Sequence, residues 1–141
     1  MLRKTKPAAD AHDLPTDEYP VIIDKRRVED MVVLNVEGII KLGQSAEFLA
    51  QSLERTLESD EGHVLLDLSQ INYIDSTGIG ELVGYLSRFA ERARKLILVA
   101  PSERIRQLLQ VAQIQHLFPT YDDLDSAIEA EKTAGEVVNP S

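Results

Sequence analysis

Apolar positions along the chain change their period several times, and each change marks an element. Two runs rich in β-branched residues, Val21–Lys25 and Met31–Val36, flank the charged segment Arg26–Asp30, a pattern that predicts a hairpin. From Ser45 to Ser59 the period becomes helical. Leu49, Leu53 and Leu57 recur at four-residue steps with Ala46 a turn earlier, and Glu47, Gln51, Glu54 and Arg55 take the other side. Val64–Leu68, interrupted by Asp67, reads as a central strand that Ile71–Ile74 carries on to the segment DSTGIG. Helical spacing returns over Thr77–Ala93, where Ile79, Leu82, Val83, Leu86 and Ala90 form the stripe. Leu96–Val99 is a further buried strand. Ser102, followed by Glu103, caps a helix bearing Ile105, Leu108, Leu109 and Ala112. Leu117–Phe118, just before Pro119, suits only an edge or irregular strand, and Asp122 and Asp123 open a last short helix carrying Leu124, Ala127 and Ile128.

Strands alternating with helices after an initial hairpin predict an α/β fold: a mixed, mostly parallel β-sheet with an N-terminal antiparallel hairpin and about four helices packed on it. The polar, proline-containing stretch 1–18 and the stretch 130–141 are expected to be flexible tails around a folded unit at 19–129. A length of 141 residues fits one domain. With 15 Lys and Arg against 24 Asp and Glu, the net charge of -9 argues against nucleic acid, where neutralising phosphates supplies most of the affinity. The absence of cysteine excludes a disulfide framework, a thiolate metal site and a cysteine nucleophile. Apolar runs are too short for direct membrane insertion, and the N-terminus lacks the apolar stretch of a secretory signal, so a cytoplasmic location is expected.

Sites in such sheets lie where strands end and helices begin, which singles out Asp75-Ser76-Thr77-Gly78. The plainest role for Asp75, Ser76 or Thr77 there is helix capping, with the carboxylate also favoured by the helix dipole. Gly78, Gly80 and Gly84 each weaken the helix by roughly 1 kcal/mol relative to Ala. That cost makes sense if another backbone or a partner approaches closely, or if the helix packs tightly on its own sheet. The spacing Gly78-Ile79-Gly80…Gly84 is one residue out of register with a dinucleotide fingerprint, and no acidic ribose ligand follows the next strand. A phospho-aspartate receiver at Asp67 or Asp75 lacks the acidic pair that holds its metal, since the first strand supplies only Asp24. Asp67 is more simply a strand residue meeting a neighbouring donor. No nucleophile elbow surrounds Ser76, and His12, His63 and His116 read as solvated or capping residues. No catalytic residue, metal ligand or cofactor is assigned to the chain.

The stretches HVLLDLSQINYIDSTGIGELVGYL and KLILVAPSERIRQLLQVAQIQHLFPTYDDLDSAI resemble the STAS domain of bacterial anti-sigma factor antagonists, over about Met31 to Ile128. The resemblance implies a regulatory module, not an enzyme. It binds a partner that is both anti-sigma factor and serine kinase, with ATP held by the partner, and phosphorylation switches it off. The phosphorylated residue would be Ser76, with Thr77 the alternative, in a loop with Asp75 and Gly78. Where the family commonly has G-E-[LI]-D, this chain has Gly38-Ile39-Ile40-Lys41, so a basic residue replaces acid, and Lys41 is expected to lie near Ser76 and pair with Asp75 or the phosphate. Gly80, Glu81, Gly84, Tyr85 and Arg88 continue the face from Ser76 and are the expected partner-binding residues, Tyr85 and Arg88 being types favoured at hot spots. The same fold without the switch would serve as a scaffold or docking subunit in a stress-sensing or lipid or anion transport complex. A small-ligand sensor is a third class.

Overall fold

A computed structural model describes residues 21–137. The hairpin forms, but its first strand, β1 (Ile22–Val28), runs straight through Lys25-Arg26-Arg27, and Glu29-Asp30 alone turn the chain into β2 (Met31–Ile40). The basic run stays extended because β1 lies at the edge of the sheet, where charged side chains reach solvent and deter pairing with other chains. Lys25 also meets Asp60 at 2.7 Å across the helical side.

The elements that follow are α1 (Gln44–Ser59), β3 (Val64–Ile74), α2 (Ser76–Ala90), β4 (Leu96–Val99), α3 (Glu103–Val111), a single 3-10 turn at Gln115–Leu117, β5 (Thr120–Tyr121) and α4 (Leu124–Val137). The five strands stand in chain order, with β1–β2 antiparallel and every other pair parallel. This is the expected mixed, mostly parallel sheet with four helices. Asp67 does what its place in a strand suggested, accepting from Asn35 Nδ2 at 3.2 Å and from the Ser69 amide at 3.0 Å. The last strand falls after Pro119, not at Leu117–Phe118. Pro119 needs no donor there because its carbonyl accepts from the Leu98 amide at 2.9 Å, while Phe118 turns into the core.

Alternation along β2 and β3 sends two sets of side chains to opposite faces. Val32, Leu34, Val36, Leu66 and Leu68 pack beneath the stripes of α1, α2 and α3, including Leu49, Leu53, Leu82, Phe89 and Ile105. Met31, Val33, Leu65, Ile97 and Val99 face the other way, onto Ala127 of α4. α4 goes on to Val137, eight residues beyond the end suggested by the apolar pattern, and its buried Glu131 is held by Lys95 at 3.1 Å and by the Tyr121 hydroxyl at 2.7 Å. That bond pushes the Tyr121 phenol up to about 12. Residues 1–18, expected to be a flexible tail, lie outside the described residues. Among the described residues no helix is long and apolar enough to cross a membrane.

Candidate functional site

The C-terminal ends of β2 and β3 meet at one carboxylate. Ile40 and Ile74 end the two paired strands, and there the Asp75 amide donates to the Ile40 carbonyl at 3.1 Å. Asp75 stays extended and serves as the N-cap of α2, its Oδ1 accepting from the amides of Thr77 at 2.9 Å and Gly78 at 3.1 Å. The other oxygen, Oδ2, accepts from the Leu42 amide at 3.0 Å. A single side chain therefore satisfies two orphan donors of the helix and ties the β2–α1 loop to it.

Ser76 is the first residue of α2 and is exposed, and among the described residues its hydroxyl makes no hydrogen bond. Thr77 is half-buried, so of the two hydroxyls Ser76 is the one presented to solvent. Gly78 is buried against the sheet. A Cβ there would stand 2.7 Å from Ile40 Cγ2 and from Ile74 Cγ1, so the close approach of α2 to its own strands demands glycine at this position. Gly80 and Gly84 are different. Both are exposed, and a Cβ on either would have no heavy atom within 4 Å. Nothing inside the described fold requires them, yet both weaken the helix.

The structure gives the remaining expected residues varied surroundings. Lys41 sits in the β2–α1 loop, its amide donating to Ser45 Oγ at 2.9 Å, one residue before the Leu42 that is bonded to Asp75. Glu81 is half-buried on α2. Tyr85 and Arg88 reach across to α1, where both donate to Glu54, Tyr85 through its hydroxyl at 2.9 Å. The Arg88 guanidinium also lies over the Tyr85 ring, 5.1 Å from its centroid. Hydrogen bonds from Arg88 and then Tyr85 hold the Glu54 carboxyl below its usual range, and burial with the Glu54 bond raises the Tyr85 phenol. Tyr85 and Glu54, with Ala50, Gln51 and Arg55, line a groove of about 300 Å³ between the helices.

Sequence reasoning assigned no site role to three residues at or near this edge. Leu42 is 71 % exposed although its amide is fixed to Asp75, and Phe48 on α1 is 36 % exposed. Leu42 stands alone in a polar turn, and Phe48 lies off the Leu49–Leu53–Leu57 stripe, which is the signal that could have marked them. Tyr73, near the end of β3, is 42 % exposed with the Arg104 guanidinium 6.0 Å from its ring centroid. Among the described residues no group of three or more His, Cys, Asp or Glu could hold a metal ion.

Comparison with known proteins agrees with this fold. The chain is 31% identical over 94 residues to a Listeria monocytogenes protein named anti-sigma-B factor antagonist, an alignment that covers 66% of this chain and 81% of that one. Its fold matches the crystal structure of an anti-sigma factor antagonist from Mycobacterium paratuberculosis with a TM-score of 0.71 at 21% identity, covering 79% of this chain and 93% of the other. It also matches the Bacillus cell fate determinant SpoIIAA in its phosphorylated form, with a TM-score of 0.63 at 17% identity over 77% of this chain and 98% of that one. The STAS domain family model matches residues 23–127, a span that takes in the sheet from Ile23 onward and Ser76, and the chain belongs to the STAS domain family.

Proposed function

We propose that this chain is an anti-sigma factor antagonist whose Ser76 accepts a phosphoryl group from a serine kinase that is also its anti-sigma partner. The observation that carries the reading is the state of Ser76: exposed, without a hydrogen bond among the described residues, and followed by a helix face whose Gly80 and Gly84 serve no internal packing. The name of the Listeria relative and the solved phosphorylated form of SpoIIAA support it.

In this reading the chain is ligand and substrate, and the partner supplies ATP and catalysis. Ser76 Oγ attacks the γ-phosphorus, the bond from that phosphorus to the bridging oxygen of ADP breaks, and the hydroxyl proton passes to a base on the kinase. Asp75 is a poor candidate for that base because its two oxygens already accept three main-chain N–H groups. Its role is positioning. The phosphate adds about -1.5 to -2 charges at a helix N-terminus, where the dipole favours negative charge, so the fold tolerates it. The change falls on the surface the partner meets, alongside Leu42, Gly80 and Gly84.

The test is incubation of the chain with ATP and host extract, phosphate mapping by mass spectrometry, and capture of the anti-sigma partner by wild type, Ser76→Ala and Ser76→Asp. Phosphate on Ser76, capture by wild type and Ser76→Ala, and loss with Ser76→Asp are expected. No phosphate and equal capture by all three would overturn the switch.

A further inference from the structure

In a chain with 28% charged residues, the fifteen residues 107–121 contain no Asp, Glu, Lys or Arg, and no other uncharged run exceeds seven. The run is not simply core. Eight of its residues are exposed, among them Gln107, Gln110, Gln113 and Gln115, and only Leu109 and Phe118 are buried. Val111 lies about 200° round α3 from Leu109, at 100° per residue, and is 82 % exposed. Leu117, in the 3-10 turn, is 41 % exposed. Among the described residues none of the four glutamine side-chain amides is hydrogen-bonded within the fold. The charges that bound the run, Arg106 and Asp122, pair with each other at 3.0 Å.

The patch stands apart from Ser76. β5 is parallel to β4, so α3 carries the chain back from the C-terminal ends of the strands, where Ser76 follows β3, to their N-terminal ends. Residues 111–117 therefore lie at the opposite end of the sheet.

Charge selects the occupant. The chain carries -9, so an oppositely charged partner gains from acidic residues at its contact, and a surface shaped for one would keep them. A second copy brings the same -9, and the two approach most favourably through the stretch that sets no like charges against each other. A glutamine amide both donates and accepts, so one patch can satisfy its own copy across a two-fold axis, as an isologous contact requires. Exposed apolar side chains with charge depleted around them are also the composition of an interface centre.

We propose that residues 107–117 form a two-fold contact between two copies of this chain, with Val111 and Leu117 at its apolar centre and the glutamines around them. The contact leaves both Ser76 residues uncovered and does not depend on the reading of Ser76.

The test is sedimentation of the full-length protein over a wide range of concentration. The mass is expected to rise with concentration from the 15.7 kDa of one chain toward twice that value. Val111→Asp and Leu117→Asp should each weaken self-association at least ~10-fold, whereas Leu42→Asp, which puts the same charge at the Ser76 end, should leave it unchanged. Melting curves confirm that each variant is folded. Added salt should strengthen the association, because it screens the like net charges and there is no ion pair at the contact to weaken. A chain that stays monomeric, even one that binds another protein through Val111, would overturn the proposal. So would a dimer indifferent to both patch variants, or one that salt dissociates. None of these readouts involves phosphate or the anti-sigma partner, so they are separate from the Ser76 test.

Discussion

Replacing Gly80 and Gly84 by alanine, singly and together, tests the assignment of the α2 face as a docking surface. The added methyl groups meet open space, because no heavy atom lies within 4 Å of either Cβ position. Glycine in a helix interior is about 1 kcal/mol less favourable than alanine, so each substitution should stabilise the protein by about that much. The two methyls share no partner, and their effects should add to about 2 kcal/mol. Unfolding entropy near 2.1 cal/mol/K per residue over about 120 residues converts this to a Tm rise of ~4 °C for each variant and ~8 °C for the pair. Calorimetry measures that half. Titration against the anti-sigma partner measures the other: a surface that needs glycine for close approach should bind the double variant at least ~10-fold more weakly, equivalent to 1.4 kcal/mol. Loss of stability would refute the open-space argument. A stabilised variant that binds as well as wild type would refute the docking role.

Three further outcomes follow from the same geometry. Gly78→Ala should destabilise, opposite in sign to Gly80→Ala, because its Cβ would stand 2.7 Å from Ile40 and Ile74 side-chain carbons; overpacking costs ~1–3 kcal/mol, and a rise in the urea midpoint would contradict it. Asp75→Ala removes an N-cap worth ~1 kcal/mol and the Leu42 hydrogen bond worth about as much, so a loss near ~2 kcal/mol should accompany faster hydrogen exchange at Leu42, Thr77 and Gly78. Unchanged exchange at Leu42 would show that the loop is held by other bonds. Glu54 has a folded-state pKa held below its ordinary value by Arg88 and Tyr85, so its contribution is complete above the usual carboxylate range and lost as pH falls through the lowered value. Glu54→Gln should therefore flatten the fall in stability below about pH 4.5, and an unchanged acid slope would remove Glu54 from that role.

What the sequence made legible was whatever one element decides by itself. The Leu49–Leu53–Leu57 stripe, the Ser102 cap with its bond from the Ile105 amide at 3.2 Å, and the Asp123 cap opening α4 all depend on neighbours in the chain. Features that depend on a second element were hidden. Arg26 and Arg27 read as part of a connector because their charge outweighed β propensity, whereas they lie within β1, at the edge of the sheet, with Arg27 paired to Asp60. Tyr85 and Arg88 stood out on α2 as hot-spot types, but nothing in α2 shows that Glu54, thirty-one residues before Tyr85, binds both. Gly78, Gly80 and Gly84 looked alike as one motif. The Ile40 and Ile74 side chains explain the first and leave the other two facing outward.

The topology also bears on why this edge suits a protein partner. Crevices for small ligands in open α/β sheets form where the strand order reverses, so that neighbouring loops diverge to opposite faces. Here the order β1-β2-β3-β4-β5 never reverses, and α1, α2 and α3 all pack on one face, leaving α4 for the other. The loops after β2 and β3 therefore lie side by side, and Asp75 binds them together through Leu42. The result is a surface carrying Leu42, Ser76, Gly80 and Gly84, with Lys41 next to Leu42 in the same loop. A partner that desolvates such a patch gains from apolar contact, and needs roughly 800 Å² per side to bind stably. A phosphate at Ser76 would have to be stripped of water in the same contact. Burying an uncompensated charge costs several kcal/mol, more than the 1.4 kcal/mol that changes affinity tenfold. On the proposed reading, phosphorylation thus acts by raising the desolvation cost of docking, and the fold beneath it has no need to move.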